Sequence, residues 1–144
     1  MDFMKLALDV AKNSGGDIPV GAVVVKDGKV IASACNTREK DNDVTSHAEI
    51  LAIRQAERVF GNWRLDGCEI YVTLEPCPMC GWAILQSRIR NLYFGSYDTN
   101  YGAFTSKLDL RKIHNGAKLN VYGGIMEEEC DKLLEAFFEK IRKS

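Results

Sequence analysis

The chain carries His47-Ala48-Glu49 and, further along, Pro76-Cys77-Pro78-Met79-Cys80. One imidazole, two thiols and a carboxylate can bind zinc and still leave a group free for acid–base work. A structural zinc takes four protein ligands, whereas a catalytic zinc takes three and leaves its fourth position to water or hydroxide. His47, Cys77 and Cys80 supply three, so the residues predict one Zn2+ per subunit with an open corner, and Glu49 as the catalytic carboxylate beside it. Zinc lowers the pKa of water in that position towards ~7, and a carboxylate that takes and returns its proton is worth roughly 10²–10⁴ in rate.

Each residue also has a plainer explanation. A Cys-x-x-Cys following a strand can serve thiol redox chemistry instead. Ser46 to Glu49 fits a capping box, in which Glu49 would only satisfy a backbone donor at a helix start. Residues two apart point to different sides of a helix, so His47 and Glu49 converge only across a helix end, where the backbone is irregular. His114, the other histidine, could close a Cys2His2 structural site, but it lies in the polar turn Lys112-Ile113-His114-Asn115-Gly116, where an exposed histidine is the default. The joint occurrence of the two motifs favours catalysis over any of these.

The elements that must position these groups can be read from periodicity. Phe3, Leu6, Ala7 and Val10 recur at helical spacing until Ser14-Gly15-Gly16 stops them. Val20 to Lys26 and Lys29 to Cys35 read as strands around Asp27-Gly28, a two-residue type I′ turn. A polar loop from Asn36 to Thr45 leads into a helix that begins near His47 and stops at Gly61. Glu69 to Leu74 is a strand, Cys77 to Ser87 a helix, and Asn91 to Phe94 and Leu119 to Tyr122 are strands, with an irregular stretch from Gly95 to Gly116 between the last two. Met126, Cys130, Leu133, Leu134, Phe137, Phe138 and Ile141 follow the 3.6 period of a final helix, acidic at its start and basic at its end. This order predicts an α/β fold: a three-layer α/β/α sandwich on a five-stranded mixed sheet, with one antiparallel pair and the remaining strands joined in parallel through crossover helices. Ligands gather at the carboxyl ends of strands in such sheets, which is where both metal motifs fall.

The 144 residues suit one domain over 1–144, and 46% hydrophobic residues can build one substantial core. No apolar run approaches the about 20 residues of a membrane span, and no basic start with a cleavage site appears, so a cytoplasmic protein without membrane contact is expected. Five cysteines without a secretory signal argue for metal binding over a disulfide framework, with Cys35, Cys68 and Cys130 as core residues. A net charge of −1 gives no global attraction to nucleic acid, so any RNA contact must use local patches such as Arg38 with Lys40, Arg88 with Arg90, Arg111 with Lys112, or the tail Lys140, Arg142 and Lys143.

A His-x-Glu followed by Pro-Cys-x-x-Cys is the signature of zinc nucleobase deaminases. The flanking segments narrow the resemblance: Pro19 to Val25, Asn36, Thr45 to Ile50, Asn62-Trp63-Arg64-Leu65, Tyr71 to Cys80, Ser87-Arg88-Ile89, Gly95 through Asp98 to Gly102-Ala103, and Phe137-Phe138 with Arg142. Over nearly its whole length the chain resembles the bacterial tRNA-specific adenosine deaminases, within the cytidine deaminase-like zinc deaminases. The resemblance implies a homodimer that converts the wobble adenosine of a tRNA anticodon loop to inosine and releases ammonia, with the base flipped into the pocket. It implies that Asn36 hydrogen-bonds the flipped purine and that Asp98, Phe138 and Arg142 contact or stack on neighbouring nucleotides. From periodicity alone Phe138 belongs to the core stripe of its helix, and Asn36 could be a turn residue. Asn100 stands where the family often has Lys, Trp82 where it has a small residue, and Asn115 to Asn120 lacks an Asn-His pair common before the last strand. A deaminase of free guanine, cytosine or cytidine would use the same zinc and Glu49, and a non-enzymatic RNA-binding module with structural zinc is the alternative of a different class.

Overall fold

The computed structural model describes residues 2–143. The first helix, α1 (Phe3–Ala11), is capped by the Asp2 carboxylate, which accepts from the Lys5 N–H at 3.1 Å. Strands β1 (Gly21–Lys26) and β2 (Lys29–Cys35) form a hairpin. Asp27 and Gly28 both have positive φ, 50° and 75°, as the expected turn requires. A short helix α2 (Arg38–Asp41) occupies part of the segment expected to be loop. There follow α3 (Ala48–Phe60), β3 (Cys68–Leu74), α4 (Pro78–Gln86), β4 (Asn91–Ser96), β5 (Asn120–Tyr122) and α5 (Glu127–Arg142). Gly61 ends α3 with φ 69° and its N–H on the Glu57 carbonyl, a left-handed stop that a residue without Cβ adopts freely.

The sheet is mixed, in the order β2-β1-β3-β4-β5. It has two antiparallel pairs, β1 with β2 and β1 with β3, where one was expected, and two parallel pairs, β3 with β4 and β4 with β5. The reason is the path of α3. It leaves β2 at the sheet edge and crosses over β1 before delivering the chain to β3, so β2 and β3 run the same way and β1, between them, opposes both.

Alternation along β1 divides the core. Ala22 and Val24 face α3 and α4, packing with Ala48, Ala52, Ile53, Ile84 and Leu85, while Val23 and Val25 face α1 and Cys130 of α5. The middle layer is thus buried on both sides, as the sandwich requires. Gly21 lets α1 lie directly on the sheet, since a Cβ there would collide with the Ala7 carbonyl oxygen. Gly21→Ala forces helix and strand apart, and overpacking of this kind costs about 1–3 kcal/mol or more. Urea unfolding of the variant against the parent measures the loss, and an unchanged midpoint contradicts the close approach.

The last helix departs from expectation in its burial. Of the stripe Cys130, Leu133, Leu134, Phe137, Phe138 and Ile141, only Cys130 is fully buried; Phe138 is 43% and Ile141 53% exposed. The core assignment that periodicity alone favoured for Phe138 is therefore corrected: a period of 3.6 identifies an apolar face but not whether anything covers it. Among the described residues no helix is long and apolar enough to cross a membrane.

Candidate active site

Two helix starts build the site. His47 is the N-cap of α3, with extended backbone at φ −80° and ψ 150°, and Cys77 is the N-cap of α4, at φ −74° and ψ 172°. Pro78 occupies the first helical position of α4, where the missing N–H has no partner to lose. Because His47 precedes its helix, its side chain is released from helical spacing and reaches the region that Glu49 faces from inside the first turn. The capping box does not form: the N-cap is His47 and not Ser46, and no side chain caps it.

Among the described residues one cluster of donors has metal-ligand geometry. It consists of His47, Cys77 and Cys80, whose ligand atoms all lie within 4.8 Å of one another. His47 Nδ1 lies 3.8 Å from Cys77 Sγ and 3.4 Å from Cys80 Sγ. A tetrahedral zinc with bonds of about 2.3 Å to sulfur and about 2.0–2.1 Å to nitrogen has edges of roughly 3.5–3.8 Å, so the donors fit that ion with little adjustment. His114 is not in the cluster. It faces Gln86 at 2.6 Å and packs on Trp82 with ring centroids 4.9 Å apart, so among the described residues the donor set has three members.

The electrostatics suit metal and proton transfer. The Cys77 thiol is pulled down to about 4, first by its hydrogen bond with Cys80 and then by His47, against the effect of burial. Cys80 moves up, chiefly because it gives its proton to that bond. His47 is raised by its bond to Cys77. Burial pushes Glu49, 4% exposed, up to about 7, where a carboxyl can both accept and return a proton near neutral pH.

A cavity of about 180 Å³ opens on this cluster, lined among others by Asn36, Arg38, His47, Glu49, Cys77, Asp98 and Tyr101. The Asn36 amide donates to the Ile18 carbonyl at 3.1 Å, while its own Oδ1 is buried without a partner. Asp98 Oδ1 accepts the N–H groups of Asn100 and Tyr101, each at 3.0 Å. The structure thus brings together His47, Glu49, Cys77, Asn36 and Asp98. Phe138 and Arg142 do not line this cavity; they border a separate groove on α5 with Tyr97, the residue before Asp98. Tyr101 and Glu75 line the cavity and were not anticipated from the sequence. Glu75 adjoins the Pro-Cys-x-x-Cys motif, but the groups it binds lie in the irregular stretch after β4, where no periodicity marks them.

A five-stranded mixed sheet with a His/Cys/Cys donor set at two helix starts and a buried glutamate beside it has the form of a cytidine deaminase-like zinc enzyme. Residues 1–96 match the family model of the cytidine and deoxycytidylate deaminase zinc-binding region, and the chain belongs to that family. Within it, the tRNA-specific adenosine deaminase of Bacillus subtilis (strain 168) is 41% identical over 98% of this chain and 89% of its own length. A structure from work on A-to-I editing by tRNA:A34 deaminases at the wobble position is 44% identical, covers 92% of this chain and 98% of that one, and has a TM-score of 0.87. Guanine deaminase from Bacillus subtilis is 38% identical, covering 81% of this chain and 69% of that one, with a TM-score of 0.64.

Proposed function

We infer that this chain is a zinc-dependent hydrolase that deaminates the wobble adenosine of a tRNA anticodon loop to inosine. The observation that carries the chemistry is the buried Glu49 sharing one cavity with His47 and Cys77. Similarity to the tRNA-specific adenosine deaminases over nearly the whole chain carries the substrate. His47, Cys77 and Cys80 would hold one zinc per chain, which would supply Lewis acidity to a bound water. Glu49 takes one proton from the attacking water and delivers it to a ring nitrogen, then takes the second from the newly added hydroxyl and passes it to the amine, so that the C–N bond breaks and ammonia departs. The unpartnered Oδ1 of Asn36 suits it to accept from the flipped purine. Asp98 at the cavity mouth would meet the nucleotides beside the flipped one, and Phe138 and Arg142, on their groove nearby, would offer a stacking ring and a cation to the loop. We assign the enzyme to a homodimer in the cytoplasm, each subunit one domain over 1–144.

The similarity to guanine deaminase favours a second reading, a free-base deaminase on the same site. Purified protein is incubated with an anticodon stem-loop bearing a wobble adenosine and, separately, with guanine, cytosine and cytidine, and ammonia and inosine are measured. Inosine in the RNA with no turnover of the free bases is the expected result. Turnover of a free base without inosine in the RNA refutes the tRNA reading.

A further inference from the structure

We propose that Glu75 is a positioning residue that ties the 98–106 loop, and with it Asp98 and Tyr101 at the cavity mouth, to the junction of β3 and α4 that carries Cys77. The substrate part of this proposal rests on the RNA reading above; the tether itself does not. Glu75 is 1% exposed and stands two residues before Cys77. Its Oε1 accepts the Asp98 N–H at 3.1 Å and the Ser106 hydroxyl. Its Oε2 accepts the N–H groups of Phe104 at 3.2 Å, Thr105 at 2.8 Å and Ser106 at 3.0 Å. A carboxylate offers about four lone-pair sites, so five donors leave none for a ligand, and Glu75 acts through the loop and not on substrate.

Two further observations make the tether specific. Gly102 lies so close to the carboxylate that a Cβ there would collide with it, so the loop folds around the acid and does not merely pass it. The main chain repeats the link: the Ala103 N–H donates to the Pro76 carbonyl at 2.9 Å and the Glu75 N–H to the Ser96 carbonyl at 2.8 Å. Asp98 gives its own N–H to Glu75 while its side chain holds Asn100 and Tyr101, so one buried acid sets the direction of the whole rim. Hydrogen bonds to a charged acceptor are the stronger kind, and buried donors left unpaired are costly. An amide in place of the acid turns one acceptor into a donor aimed at N–H groups.

The test uses the zinc-loaded full chain, with Glu75→Gln as the main variant and Ser106→Ala, which removes a single donor, as a milder second. Zinc content, amide hydrogen exchange and steady-state deamination of the anticodon stem-loop are measured. For Glu75→Gln, parental zinc content is expected, with exchange roughly tenfold or more faster in 98–106 but unchanged in α3. KM for the stem-loop rises by about tenfold or more while kcat stays within about threefold, because the rim serves binding. Ser106→Ala shifts the same quantities in the same direction by less. Unchanged loop exchange in both variants overturns the proposal, as does a loss of zinc with exchange rising throughout the chain. If the parent leaves the stem-loop adenosine intact, the RNA reading fails and the exchange pattern alone decides the tether.

Discussion

Glu49→Gln is expected to lower turnover of the wobble adenosine by roughly 10²–10⁴-fold while leaving zinc bound and the fold intact. Glutamine keeps the length and shape of the side chain, so the α3 start and its packing are preserved. What disappears is the capacity to carry a proton between water, ring nitrogen and leaving amine. Zinc stays because Glu49 is no member of the cluster formed by His47, Cys77 and Cys80. Stability should hold as well, since burial disfavours the ionised carboxylate enough to push it up to about 7, and a neutral amide escapes that penalty. Single-turnover rates with metal content measured on the same sample give the answer. A variant with parental zinc and more than a tenth of parental turnover rules out Glu49 as the proton carrier. An RNA-binding module with a structural metal would be indifferent to this substitution, so the outcome also separates enzyme from binder.

The His/Cys/Cys cluster and Glu49 are legible because their spacing is local: all four residues lie in the first turns of two helices or at their caps. The hairpin is legible for a similar reason, since Asp27-Gly28 is a self-contained turn and both residues take the positive φ it needs. The second antiparallel pair is not, because β1 meets β3 only after α3 has carried the chain over the top of β1, and strand order of that kind is absent from any window of sequence. Likewise the apolar stripe of α5 announces a helix face without saying what covers it, and Phe138 and Ile141 remain exposed. Glu75 escapes notice for a different cause. Its partners, Asp98 and Phe104 to Ser106, are mostly backbone N–H groups, which every residue carries and no motif can mark. Asn36 and Asp98 could be tied to the cavity only through resemblance. Alone, an asparagine after a strand and an aspartate in a loop have many uses.

Removing zinc with a chelator is expected to abolish turnover and to lower the melting temperature, and adding zinc back should restore both. With ligand atoms within 4.8 Å of one another, His47, Cys77 and Cys80 are held ready by α3 and α4, so the metal binds the native chain far better than the unfolded one. A ligand present at 1,000 times its dissociation constant adds about 4.1 kcal/mol of stability, and each kcal/mol moves the midpoint of a chain of this size by about 2–8 °C, so a fall of roughly 10 °C or more is the scale. The chain does not unfold outright, because the core around Val24, Ile70, Val72, Leu92 and Phe94 owes nothing to the ion. Cys80→Ser sharpens the test. The residue is fully buried in the first turn of α4, and serine supplies a hard oxygen on a shorter reach where zinc takes a thiolate at about 2.3 Å. This variant should retain little zinc, resemble the chelated parent in melting temperature, and regain no activity on reloading. Full turnover in metal-free parent protein, or in Cys80→Ser after reloading, would show that the His/Cys/Cys cluster serves the fold alone.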